Sequence, residues 1–144
     1  MKHLLTVLCF AFLFTALSGA PAAKQNVKWG NDIAAAQKSV KGTKKSILLF
    51  FTAPGWCGPC RRLESGAVGS SKFAKIAKEN VAVRLDFSDR KNVPESAKAA
   101  LKQYKVQGFP TLLVLDSEGK EKGRIVGAAP EKKFFAQLKK FLKK

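Results

Sequence analysis

Residues Ser46 to Ala53 read SILLFFTA, a continuous apolar run rather than an alternating one. A strand of this kind presents apolar side chains to both sides and has to be covered on both. The run therefore predicts the central strand of a sheet with helices above and below it. Asn31 or Asp32 can cap a first helix in which Ile33, Ala36 and Val40 recur at helical spacing, and Lys41-Gly42-Thr43 ends it. Pro54-Gly55 breaks the apolar strand, and a helix is expected from near Cys57 to about Ser65. Gly66 and Gly69 interrupt that helix, and Ser70 or Ser71 can cap a second piece with Phe73, Ile76 and Ala77 on one face. Val81 to Phe87 reads as the next strand and Ser88 to Asn92 as a polar loop. Asn92-Val93-Pro94-Glu95 has the form of a capping box opening a helix to about Tyr104. Gly108-Phe109-Pro110 breaks the chain. Thr111 to Leu115 is an apolar strand, Asp116 to Gly119 a turn, and Lys122 to Val126 an antiparallel return. Pro130 opens the last helix. Phe134, Phe135, Leu138, Phe141 and Leu142 line one side of it, and Lys132, Lys133, Lys139, Lys140 and Lys143 the other. The order α-β-α-β-α-β-β-α implies an α/β class: a central mixed sheet flanked by helices on both faces.

At 144 residues the chain holds one such domain and not two. A hydrophobic fraction of 46% with 26% charged residues excludes wholesale disorder. Residues 1–22 stand apart. Lys2 and His3 form a positive start, Leu4 to Leu17 is apolar except for Thr6 and Thr15, and Ser18 to Ala22 are small residues and a proline. This is the pattern of a cleavable secretory signal, with cleavage expected after Ala22. The alternative is an uncleaved N-terminal membrane anchor, but the apolar core is shorter than the ~20 residues needed to span a bilayer. Cleavage would leave residues 23–144 as a single domain. It removes one Lys and no acid, so the charge falls from +17 to +16, and Cys9 and the lone histidine, His3, leave with it. The expected location is periplasmic or secreted.

The remaining cysteines are Cys57 and Cys60, in Trp56-Cys57-Gly58-Pro59-Cys60. In an oxidising compartment they pair with each other or exchange electrons with the thiols of another protein. Their position at a strand-to-helix junction favours exchange. Cys57 lies at the helix N-terminus, where free backbone N–H groups and the helix dipole favour a thiolate, so it is the expected nucleophile. Cys60, one turn in, can attack a mixed disulfide formed by Cys57 and resolve it. Arg61, at i+4 from Cys57, is placed to tune it, or is an ordinary solvated side chain. Half of a zinc site would need ligands the mature chain lacks, since it has no other Cys and no His. A purely structural disulfide closing so short a loop restrains the unfolded chain little. No metal is expected.

WCGPC after an apolar strand, with Gly108-Phe109-Pro110-Thr111 about fifty residues later, resembles the thioredoxin family over roughly Trp29 to Leu142. The resemblance implies the thioredoxin fold and thiol–disulfide exchange. It implies that Pro110 is cis and packs beside the two cysteines, and that the backbone of Phe109 pairs with bound substrate. Trp56 matches the family tryptophan beside the nucleophile, and Gly127 a family glycine near the active-site surface. Three departures from cytoplasmic thioredoxin follow. The family's buried carboxylate falls at Phe50 and its partner lysine at Ala82, so the proton of Cys60 goes elsewhere, to water or to Glu64 at i+4. The segment Asp86 to Tyr104 is longer, and the helix after Cys60 is broken by glycines. Both features are similar to exported thioredoxin-like domains, such as the soluble domains of bacterial disulfide-relay proteins.

Gly58-Pro59 between the cysteines is the dipeptide of thioredoxin, and points to a reductase of protein disulfides. An oxidase or isomerase would use the same residues. No glycine-rich dinucleotide loop is present, so no cofactor is expected, and electrons have to come from a membrane-embedded or other thiol donor. The charge admits weak attraction to anionic membranes or acidic proteins. It also admits a non-enzymatic reading, a secreted basic binding protein on the same scaffold. Nucleic acid is not expected, because neither clustered aromatics nor a recognition motif accompanies the charge. A monomer is expected.

Overall fold

The computed structural model describes residues 26–143, and the expected signal at 1–22 lies outside them. The elements are β1 (Trp29–Gly30), α1 (Ile33–Val40), β2 (Ile47–Thr52), α2 (Gly58–Ser65), α3 (Ser71–Glu79), β3 (Val81–Asp86), α4 (Glu95–Gln103), β4 (Thr111–Leu115), β5 (Glu121–Val126) and α5 (Glu131–Leu142). The sheet order is β1-β3-β2-β4-β5. β2 runs parallel to β3, with Ile47 opposite Val81 and Thr52 opposite Asp86, and antiparallel to β4. β5 returns antiparallel along β4. This is the mixed α/β sheet of the thioredoxin fold.

All six residues of β2 and all five of β4 are buried. Alternation along β2 divides them between two cores. Ile47, Leu49 and Phe51 join Ala36 and Val40 of α1 and Ala97 and Ala100 of α4. Leu48 and Phe50 join Phe73 of α3 and Phe134, Phe135 and Leu138 of α5. α2 touches both: Cys60 belongs to the first core and Leu63 to the second. Of the alternatives at the helix starts, Asp32 caps α1, accepting from Ala35 N–H at 3.1 Å, and Ser70 caps α3, accepting from Phe73 N–H at 3.2 Å. The segment after Cys60 is two separate helices divided by residues 66–70, as its glycines indicated.

Two expectations are corrected. Asn92 and Glu95 form no capping box: α4 begins at Glu95 with Pro94 at its N-cap and no side-chain cap bond. The Asn92 amide instead donates to Asp89 Oδ2 at 2.7 Å, inside the loop. The first strand, β1, had no sequence signal because it has only two residues. Its anchor is Trp29, stacked on Phe50 and Phe73 with both centroid distances 5.8 Å. Such pairs contribute about 0.5–1.5 kcal/mol beyond area burial. At the other end of the sheet, Tyr104 donates to the Gly119 carbonyl at 3.2 Å. Burial pushes its hydroxyl above the ordinary tyrosine range, with Glu121 and Asp116 adding to the shift.

Gly123 on β5 lies directly beneath the ring of Phe141 in the last turn of α5, so a Cβ there would overlap the ring. Gly123→Ala is expected to destabilise the fold by about 1–3 kcal/mol in urea unfolding. In a Phe141→Ala background the same change should cost much less. Equal costs in the two backgrounds would show that the Phe141 contact does not set the preference for glycine.

Candidate active site

β2 ends in a tight turn. The Ala53 carbonyl accepts from Trp56 N–H at 3.2 Å and from Cys57 N–H at 2.9 Å. The turn places Cys57 at the N-cap of α2, where its Sγ accepts from Cys60 N–H at 3.2 Å. Sulfur here takes the position that a serine or aspartate oxygen fills at other helix starts. The helix N-terminus that satisfies it also stabilises negative charge on it after reduction. Cys57 and Cys60 are joined as a disulfide with Cα atoms 5.3 Å apart. Cys57 is 7% exposed and Cys60 is fully buried, so Cys57 offers the sulfur that another protein can reach. Gly58 is half-buried and Pro59 exposed, both in the first turn of α2.

The segment at Pro110 closes over this turn. The Phe109–Pro110 bond is cis, and the Phe109 carbonyl oxygen lies 3.8 Å from Cys57 Sγ. Thr111 Oγ1 donates to the Gly108 carbonyl at 2.8 Å, and Gly127 N–H donates to the Pro110 carbonyl at 2.8 Å. Gly127 holds φ at +78°, a left-handed conformation that disfavours any side chain. Phe109 thus lies beside Cys57, and Thr111 and Gly127 are hydrogen-bonded to the chain on either side of it, at Gly108 and Pro110.

Trp56 is 43% exposed and is fixed at one edge, its Nε1 donating to the Phe87 carbonyl at 3.0 Å. Its ring meets Phe109 edge-on at 5.8 Å, and Phe109 packs on Phe87 at 4.9 Å. The loop after β3 is bonded to the same turn, with Gly55 N–H donating to Ser88 Oγ at 2.8 Å. Arg90 from this loop lies over the Trp56 ring, 4.3 Å from its centroid. Sequence reading missed Phe87, Ser88 and Arg90, which lie about thirty residues from the motif; the polar loop Ser88 to Asn92 was visible but not its destination.

Arg61 is exposed and anchored at its tip. Its Nη1 donates to the Pro54 carbonyl at 2.8 Å, so its charge rests on the loop that precedes Cys57. Glu64 lies one turn beyond Cys60 on the same helix. Its Oε1 accepts from the buried Thr52 hydroxyl at 2.5 Å and pairs with Arg84 at 3.3 Å, while Arg84 also pairs with Asp86 at 3.0 Å. Alignment placed the family's lysine position at Ala82, but in the sheet Ala82 stands opposite Leu48, and the residue opposite Phe50 is Arg84. A cation is therefore retained across from Phe50, and its carboxylate partner comes from α2 rather than from β2. Glu64, Arg84, Phe50 and Trp29 line one side of an open pocket of about 250 Å³.

The family model of the thioredoxin-like domain matches residues 33–142. Disulfide bond reductase DsbH of Chlamydia pneumoniae is 36% identical over 110 residues, 73% of this chain and 66% of its own length. The thiol:disulfide interchange protein DsbD of Klebsiella pneumoniae is 27% identical over 127 residues, covering 84% of this chain but only 21% of that protein. The chain thus spans less than two thirds of either relative. A solved structure of a DsbH oxidoreductase superposes with a TM-score of 0.72 at 29% identity, covering 89% of this chain and 93% of that one. With the cysteine pair at the helix N-terminus, the cis-proline beside it and the family match over most of its length, the chain belongs to the thioredoxin-like domain family.

Proposed function

We propose that this chain is a thiol–disulfide oxidoreductase that reduces protein disulfides in an oxidising compartment. One observation carries the reading: Cys57 caps a helix N-terminus and keeps 7% of its surface exposed, whereas its disulfide partner Cys60 keeps none. In the reduced form the Cys57 thiolate attacks one sulfur of a substrate disulfide. The S–S bond of the substrate breaks, a Cys57–substrate disulfide forms, and the departing thiolate takes up a proton. Cys60 then loses its proton and attacks Cys57 Sγ. The Cys57–Cys60 bond forms and the second substrate thiolate leaves and is protonated. Two electrons and two protons pass to the substrate. A thiol donor, membrane-embedded or otherwise, then reduces the Cys57–Cys60 disulfide. Gly58-Pro59 supports the reducing direction, as do the leader-like residues 1–22, which imply export and hence a donor across the membrane.

In this mechanism Phe109 and Pro110 shape the groove into which the substrate segment docks, and Trp56 forms its outer wall. Glu64, at i+4 from Cys60 and held by Thr52 and Arg84, receives the Cys60 proton.

Two outcomes test these assignments. Cys60→Ser should accumulate a stable mixed disulfide with a protein substrate such as insulin, whereas Cys57→Ser should form none and show no insulin reduction in the presence of a thiol donor. Trapping through Cys60 instead would reverse the assigned roles. Glu64→Gln should slow resolution of the mixed disulfide on the order of 100-fold at neutral pH, the usual scale of a positioned acid–base group. The defect should shrink as pH rises and Cys60 ionises unaided. A uniform loss at every pH would assign Glu64 only to holding Arg84.

A further inference from the structure

Three guanidinium groups contact residues that flank Cys57 in the chain, Pro54, Gly58 and Trp56. Arg61 is held on the Pro54 carbonyl. The side chains of Arg61 and Arg62 both approach Gly58, with nitrogens 3.9 and 3.8 Å from where a Cβ would stand. Arg90 lies on Trp56. All three residues are exposed, and none makes an ion pair among the described residues. The other arginines, Arg84 and Arg124, are each paired with carboxylates. The acidic residues of the Arg90 loop are also occupied: Asp86 pairs with Arg84 and caps Ser88 N–H at 2.8 Å, and Asp89 accepts from Lys91 N–H at 3.1 Å and from Asn92. Positive charge at the rim is therefore left without an internal partner.

Arg90 is the most constrained of the three by its setting. Its loop is tied to the active-site turn through Ser88 to Gly55 and through Phe87 to the Trp56 indole. A guanidinium stacked on an indole is oriented in advance, yet its edge N–H groups remain able to bind a carboxylate in two-point fashion. Trp56 adjoins Cys57 in the chain and meets Phe109, whose carbonyl oxygen lies 3.8 Å from Cys57 Sγ, so a carboxylate bound by Arg90 would belong to a segment docked beside Cys57.

Resting on the oxidoreductase reading above, we propose that Arg90 is a specificity-determining residue, which selects disulfides flanked by Asp or Glu by pairing with that carboxylate over Trp56. The occupant of the groove is thus an extended acidic segment of a protein substrate.

The test uses the reduced full chain and three synthetic peptides, each with one intramolecular disulfide and differing only in the residue beside the reactive cysteine: Glu, Gln or Lys. Rate constants for reduction should favour the Glu peptide over the Lys peptide by about tenfold at low salt, the low end of electrostatic steering at a charged cleft. Arg90→Gln should bring that ratio close to one, Arg90→Lys should keep part of it, and Arg90→Glu should reverse it. Lys139→Glu with Lys140→Glu, on the exposed side of the last turn of α5, removes more charge and should leave the ratio in place. A ratio that survives in Arg90→Gln but falls in the α5 double variant would overturn the proposal in favour of the overall charge. Equal rates for the three peptides with the unaltered chain would overturn it alone. Failure to reduce any of them would remove the oxidoreductase reading and this inference with it.

Discussion

The complete burial of β2 is the constraint from which the site follows. Six successive residues, Ile47 to Thr52, have no exposed surface, so the strand needs a helical layer on each side and a neighbour at each edge. Each apolar side chain there contributes about 1.5–3 kcal/mol of burial, and each is placed by the two-residue period of the strand. A strand fixed on four sides delivers its C-terminal end to one position. Residues 53–57 turn at that end, and the rigidity of the strand is passed to Cys57 through two hydrogen bonds on the Ala53 carbonyl.

The chemistry depends on how the polar groups near this end are handled. A carboxylate inside β2 would be a costly buried charge unless paired. Phe50 avoids that cost and instead stacks under Trp29. The polar function moves to the margin, where Glu64 reaches Thr52 and Arg84 from α2 and stays partly solvated. The substrate side is assembled differently. Trp56, Phe109 and Phe87 form a continuous aromatic edge, and the loop carrying Arg90 is fastened to it by hydrogen bonds from Gly55 and Trp56. In the proposed mechanism the two sides of Cys57–Cys60 have separate tasks, proton handling toward the sheet and recognition toward solvent.

Most of this fold was legible in local pattern. The β2 run, the helical spacing of Ile33, Ala36 and Val40, and the glycines at 66 and 69 report periods and breaks that involve near neighbours only, and the elements formed where those patterns lie. The cysteine pair was legible for the same reason, because the strand end and the helix start are adjacent in sequence. What escaped depends on distant partners. β1 is held by the stacking of its Trp29 on the rings of Phe50 and Phe73, partners distant in the chain. The residue opposite Phe50 is a matter of sheet register, which places Arg84 there and not Ala82. Asn92 had the spacing of a capping box, but it was drawn to Asp89 and the helix began after Pro94. Arg90 read as one more cation in a chain of +17 until the loop placed it on Trp56.

The direction of electron flow is the central claim, and the reduction potential of the Cys57–Cys60 couple measures it most directly. The account predicts a value near that of thioredoxin, about −270 mV, on equilibration of the chain with dithiothreitol or glutathione buffers. A value close to that of the strong oxidant of disulfide formation, about −120 mV, would contradict it and make the chain a donor of disulfides.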